Sequence, residues 1–166
     1  MSGAARQAAL AERDPARAAG PGDLAEALAA IAAGAQAREL RPGAFPQDAF
    51  ELLAPTGVLT FNVRAGTERP PAAAELDLVR RVARADGSVG RILDGHLNAV
   101  ERLAVQAPAE LRDRELDRVA AGRLLAGVWG GDPSPGEGPP ATVIEAGGRE
   151  ALRGVKTFCS GAGGID

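Results

Sequence analysis

The chain has 166 residues, of which 45% are hydrophobic and 25% charged, with a formal net charge of −3. That balance excludes a disordered or fibrous chain and gives no footing for nucleic acid or an anionic membrane surface. The single Cys159 excludes an internal disulfide, and no apolar run approaches the length of a membrane span.

Aromatic residues make up only 3% of the chain, and much of the apolar content is alanine, so the expected core is thin. The N-terminal stretch MSGAARQAALAERDPARAAG lacks an apolar signal region, and its Glu12 and Asp14 do not suit a transit peptide. A cytoplasmic protein is expected. Residues 1–122 read as a helical domain and residues 123–166 as strands and turns.

In chain order, DLAEALAAIAAGAQAREL reads as a helix with Asp23 as N-cap and Glu26 three residues on. Leu24, Leu28, Ile31 and Ala35 share its apolar face. FPQDAFELLAPTG is a short helix ended by Pro55 and Gly57. VLTFNVRAGTERPP reads as extended and loop-like. PAAAELDLVRRVARADGS is a helix with Leu76, Val79, Val82 and Ala83 as its stripe and Arg80, Arg81 and Arg84 on the wet side. Asp86-Gly87-Ser88 breaks it, and Ser88 is placed to cap the next helix. That helix carries Ile92, Leu93, Leu97, Val100 and Leu103 at helical spacing. A last helix begins near Pro108, and Gly122 follows it.

The period then changes. LLAGVWGG is a short strand candidate, and ATVIEAGGREALRGVKTFCS reads as two strands joined at Gly147-Gly148, a hairpin signal. The fold class expected is α+β: an N-terminal α-helical bundle of about five helices, then an incomplete antiparallel β domain. Three strands leave an open edge. The expectation is therefore a chain that belongs to a longer protein and is poorly stable alone.

Three stretches carry possible chemistry. VARADGSVGRILDGHLNAVERLA (82–104) reads first as two packed helices with an Asp-Gly break. In LLAGVWGGDPSPGEGPPATV (124–143), the amides of Gly130 and Gly131 can approach a flat polar ligand because no Cβ intervenes. In GVKTFCSGAGG (154–164), Phe158 can cover an aromatic ligand and the Ser160 hydroxyl can bond to it. The plainer reading of each glycine stretch is a polar turn.

In this order the stretches resemble the acyl-CoA dehydrogenase family of flavoproteins, over residues 40–166. The matching pieces are FPQDAFELLAPTGVL, ARADGSVGRILDGHLNAV, GVWGGDPSPGEG and LRGVKTFCSGAGGID. The resemblance implies a helical domain, a β domain and a C-terminal helical domain that holds the catalytic carboxylate. No catalytic base is therefore expected within these residues. It also implies FAD as cofactor, contacted by Trp129, Gly130, Gly131, Phe158 and Ser160. Phe158-Cys159-Ser160 fills the family's Trp-Ile-Thr/Ser segment, with a smaller ring and a retained hydroxyl.

Asp132, Pro133 and Gly136 hold the acidic, Pro and Gly positions of the family's Thr-Glu-Pro-x-x-Gly-Ser-Asp loop. Gly131 replaces its Thr, and Glu137-Gly138 its Ser-Asp. Gly136 and Glu137 are the implied substrate contacts, and the departure at Glu137 departs from an ordinary acyl-CoA site. NVRAGTERP keeps little of the family's Pro-Glu-x-x-Gly-Gly loop.

The implied reaction is α,β-dehydrogenation of an acyl thioester, in a homo-oligomer when full length. A flavin-dependent monooxygenase of the same superfamily is the alternative within the enzyme class. A non-catalytic helical partner subunit is the alternative outside it. His96, the only histidine, reads as structural, with substrate contact as its functional alternative. Cys159 reads as a small packed residue. Trp129 reads as packed in the β unit, with the flavin edge as the alternative. The arginines at 80, 81, 84 and 91 read as a solvated face. No metal is expected.

Overall fold

The computed structural model describes residues 22–64 and 70–166. The expectations for the N-terminal stretch, and for the middle of NVRAGTERP, lie outside the described residues.

Asp23 caps the first helix, α1 (Leu24–Glu39), by accepting the Ala25 N–H at 2.7 Å. Its buried face carries Ala27 and Ile31, with Leu24 and Leu28 packed beside them. The short helix α2 (Gln47–Leu53) tightens into a 3₁₀ turn over Ala54–Thr56 and stops at Gly57, whose φ of 80° suits a residue without a Cβ.

The next segment is helical rather than extended. A 3₁₀ turn (Val58–Thr60) runs into α3 (Phe61–Arg64). The Thr56 and Thr60 hydroxyls donate back to the Leu53 and Gly57 carbonyls at 2.7 and 3.2 Å. Val58 is buried in the core. Tertiary burial and local hydroxyl bonds thus override the strand preference of Val58 and Thr60.

α4 (Ala72–Ala85) and α5 (Gly87–Gln106) are joined by Asp86 alone. Asp86, not Ser88, caps α5: its carboxylate accepts from the Ser88 and Val89 N–H groups. The buried residues of α4 are Leu78 and Val82, while Leu76 stands in solvent. The expected stripe is rotated because α4 presses its Leu78–Val82 side onto α5. Gly90 makes that approach possible, since a Cβ there would lie 2.5 Å from Ala83 Cα. α5 buries Ile92, Leu93, Leu97 and Val100 as its spacing predicts. α6 (Ala109–Ala120) follows and ends before Gly122, at φ 66°.

One core unites Ile31, Phe50, Leu53, Val58, Leu78, Val82, Val89, Leu93 and Leu97. Beside it lies a polar tie. Arg38 bonds Asp86 at 2.8 Å and Asp48 at 2.7 Å, and also donates to the Ile31 carbonyl. The Arg38 and Asp86 side chains are 8% and 9% exposed. Burial alone pulls the guanidinium pKa down, but the bonds from Asp86 and Asp48 outweigh it and leave the pKa raised.

The strands are fewer and shorter than the sequence predicts. β1 (Thr142–Ala146) and β2 (Arg149–Arg153) form an antiparallel hairpin with Val143 opposite Leu152 and Glu145 opposite Glu150. Gly147 and Gly148 sit at φ 62° and 77°, the geometry of a two-residue hairpin turn. β2 ends at Gly154, where φ is 131° and a Cβ would lie 2.4 Å from the Pro140 carbonyl oxygen. Among the described residues, the architecture is six helices and one two-stranded sheet, an α+β arrangement.

Candidate functional site

LLAGVWGG does not form a regular strand; the backbone groups at its start bond to Asp166 and His96. Leu125 and Asp166 exchange bonds: Leu125 N–H donates to the Asp166 carboxylate at 2.8 Å, and Asp166 N–H to the Leu125 carbonyl at 2.9 Å. The Ala126 N–H donates to His96 Nδ1 at 3.0 Å. Val128 lies beside Gly95, and Gly127 lies against Ile165. The segment is thereby laid along α5, with residues 161–165 over Ile92 and Phe45.

Beyond this tether, Gly131 pairs with Thr157 in a single antiparallel bridge. The Gly131 N–H donates to the Thr157 carbonyl at 3.3 Å, and the Thr157 N–H to the Gly131 carbonyl at 2.9 Å. The Thr157 hydroxyl donates to the Asp132 carbonyl at 3.2 Å, and Lys156 pairs with the Asp132 carboxylate at 2.5 Å. These bonds set Phe158 directly on the glycines. A Cβ at Gly130 would lie 3.2 Å from Phe158 Cβ, and one at Gly131 would lie 3.1 Å from the Phe158 ring. A side chain at 131 would require the exposed Phe158 ring to give by a few tenths of an ångström.

The bridge gathers Gly130, Gly131 and Phe158 into one face. Trp129, 54% exposed, adjoins Gly130 in the chain, and Phe158 is 78% exposed. The packed reading of Trp129 is corrected: the segment bonds through its backbone and leaves the indole in solvent. Phe158 holds φ 55°, a left-handed conformation that costs a non-glycine residue about 1–2 kcal/mol. Held by the bridge, this conformation presents an apolar ring to water.

The amide expectation is also adjusted. The Gly131 N–H is consumed by Thr157, whereas neither the Gly130 N–H nor the Ser160 hydroxyl bonds any described residue. The site therefore offers two exposed aromatic surfaces, the Gly130 N–H and the Ser160 hydroxyl. Cys159 is half-buried and unpaired with another sulfur.

Gly136 and Glu137 form a separate, exposed turn. The Glu137 carboxylate accepts the Ser134 N–H at 2.7 Å, and the Glu137 N–H donates to the Ser134 carbonyl at 3.0 Å. Gly136 has φ 95°.

His96 has no exposed surface. Since Nδ1 accepts from Ala126, Nε2 carries the proton and donates to the Leu59 carbonyl at 2.8 Å. Burial pushes its pKa below the ordinary value, against the bond to the Leu59 carbonyl, which favours the proton. The surface arginines pair with neighbours, Arg80 with Asp77 and Arg91 with Asp94. The Arg80 bond holds the Asp77 carboxyl below its usual range.

Thr157 and Asp166 are fasteners that sequence reasoning missed. Their partners lie tens of residues away, and no local spacing announces them. A groove of about 600 Å³ lies elsewhere, between the end of α1 and the α4–α5 junction, with the paired Arg38 and Asp86 in its wall. Among the described residues no cluster of His, Cys, Asp and Glu is placed to hold a metal, and no helix is long and apolar enough to cross a membrane. No family model, curated protein or solved structure matches the chain.

Proposed function

We propose that the chain supplies the flavin-contacting part of an acyl-CoA dehydrogenase-like, FAD-dependent oxidoreductase that acts on an acyl thioester in the cytoplasm. The observation that carries this reading is the Gly131–Thr157 pairing. It joins the two stretches that the family resemblance assigns to the flavin, which local sequence alone would leave apart.

The residues fit the ring half of the cofactor. Phe158 and Trp129 supply apolar faces for a planar heterocycle, and the Gly130 N–H and Ser160 hydroxyl are donors without a partner among the described residues. When bound, FAD supplies the hydride acceptor. These residues would orient it and shield one face. The surface is open, so exclusion of water requires a second wall, supplied by a second subunit. The substrate-side turn at Gly136 and Glu137 offers backbone groups, its carboxylate being engaged with Ser134. The base that removes the α-proton is assigned to none of the described residues.

The test is titration of the purified chain with FAD, followed by flavin fluorescence and by Trp129 emission. Binding with quenching of both is expected, and Phe158→Ala is expected to weaken it roughly tenfold, the loss of about one stacking contact of ~1.4 kcal/mol. Absence of binding by FAD and by the isolated flavin ring would reject this reading in favour of a non-catalytic subunit. Where flavin binds, bleaching by acyl-CoA in an assembly that supplies the base supports the dehydrogenase, and oxygen-dependent hydroxylation of a substrate by the reduced flavin supports the monooxygenase.

A further inference from the structure

We propose that His96 is a positioning residue that clasps the 124–131 segment, and with it Trp129 and the glycine pair, only while its ring is neutral. The flavin consequence rests on the reading above, but the clasp itself does not.

The geometry makes one ring span two parts of the molecule. Nε2–H is bonded to the Leu59 carbonyl at 2.8 Å, in the turn after α2, and Nδ1 receives the Ala126 N–H at 3.0 Å. The ring sits wholly inside, and Ala126 is three residues from Trp129. Protonation would place a hydrogen on Nδ1. Two donors would then face each other where one bond existed, with a charge in an apolar site. The bond to Leu59 survives protonation, whereas the bond to Ala126 does not. The segment is therefore the side that lets go.

Few ionisable groups compete for this role. The Val58–Thr60 turn carries none; α3 carries Arg64, and its Asn62 amide donates to the Leu97 carbonyl at 3.2 Å. On α6, Glu115 and Arg118 bond each other at 2.7 Å. On α5, Arg91 and Asp94 likewise pair with each other, Arg102 bonds Asn98, and Glu101 lies a turn further on. On the segment side stand Arg123, the Cys159 thiol and Asp166, of which Asp166 holds the neighbouring Leu125 N–H. The ring's own partners are backbone groups. Burial already disfavours the cation, which moves release to the acid side of the ordinary histidine pKa.

Trp129 is the only tryptophan and there is no tyrosine, so indole emission reports this segment alone. The experiment is a pH titration of the flavin-free chain, with emission and helical circular dichroism read on the same samples. A reversible emission step below about pH 6.5 with helical signal retained is expected. Emission that changes only together with loss of helix overturns the proposal, and this holds on the native chain alone. His96→Asn keeps an acceptor for Ala126 and is expected to abolish the step. Persistence of the step in that variant overturns the proposal. Asp166→Asn is expected to retain the step, and its loss there would assign the titration to Asp166 and overturn it too. Repeating the titration with FAD separates the two readings. Failure to bind flavin at any pH rejects the flavin site and leaves the clasp standing. A clasp that fails while FAD still binds at neutral pH does the reverse.

Discussion

The helices and the hairpin solve the problem of burial in opposite ways. Every buried apolar side chain among the described residues lies between Ala27 and Val119, whereas β2 is exposed along its whole length. Leu93 is fully enclosed, while Leu152, the same residue type, is 64% exposed opposite Val143. The helical region is held by packing of non-local apolar faces. The region after it is held by turn glycines, a few backbone bonds and its tether to α5. The first should melt cooperatively, and the second should open locally at low cost.

The largest test of this contrast is Arg38→Ala. It leaves Asp86 buried without its partner at the α4–α5 junction and should cost about 3–5 kcal/mol in denaturant unfolding read by helical circular dichroism. Leu93→Ala should cost about 2–5 kcal/mol in the same assay, while Leu152→Ala should stay within about 0.5 kcal/mol. Comparable costs for the two leucines would break the contrast. Gly90→Ala forces α4 and α5 apart and should cost about 1–3 kcal/mol.

Acid should act on the boundary between the two regions. The folded pKa of His96 is depressed, so its contribution to stability is complete above the unfolded value of 6.5 and is lost as pH falls from there through the folded pKa. In this window the folded state binds fewer protons than the unfolded one. Urea midpoints at pH 7.5 and 5.5 should therefore differ in that direction, and His96→Asn should flatten the difference.

The smallest effect is expected at Phe158→Gly. Relief of the left-handed conformation should stabilise the bridge by about 1 kcal/mol, visible as slower exchange of the Thr157 amide with no change in the helical melt. Under the proposed flavin reading, the same substitution should weaken FAD binding, as expected where a site stores conformational strain.

Much of the helical region was legible in the sequence. The Asp23 cap, the stop at Gly57 and the α5 stripe follow from contacts within a few residues, where side-chain spacing and local bonds decide the outcome. The hairpin was legible for the same reason, because Gly147-Gly148 satisfies the turn by itself. The 124–131 segment was not legible as a tether, since its period matches a strand and its partners His96 and Asp166 lie 30 and 41 residues away.

The candidate site divides along the same line. Residue types alone proposed Gly130, Gly131, Phe158 and Ser160, because an aromatic face, bare amides and a hydroxyl are chemistry that composition carries, and the family resemblance added Trp129. Tertiary structure decided that Gly131 spends its amide on Thr157, that Trp129 and Phe158 stand exposed, and that His96, read as structural, is sealed beneath this segment. Alternation and helical period report which face of an element is apolar. Which face meets which, and which backbone group is left without a partner, depends on contacts between distant residues that no local pattern encodes.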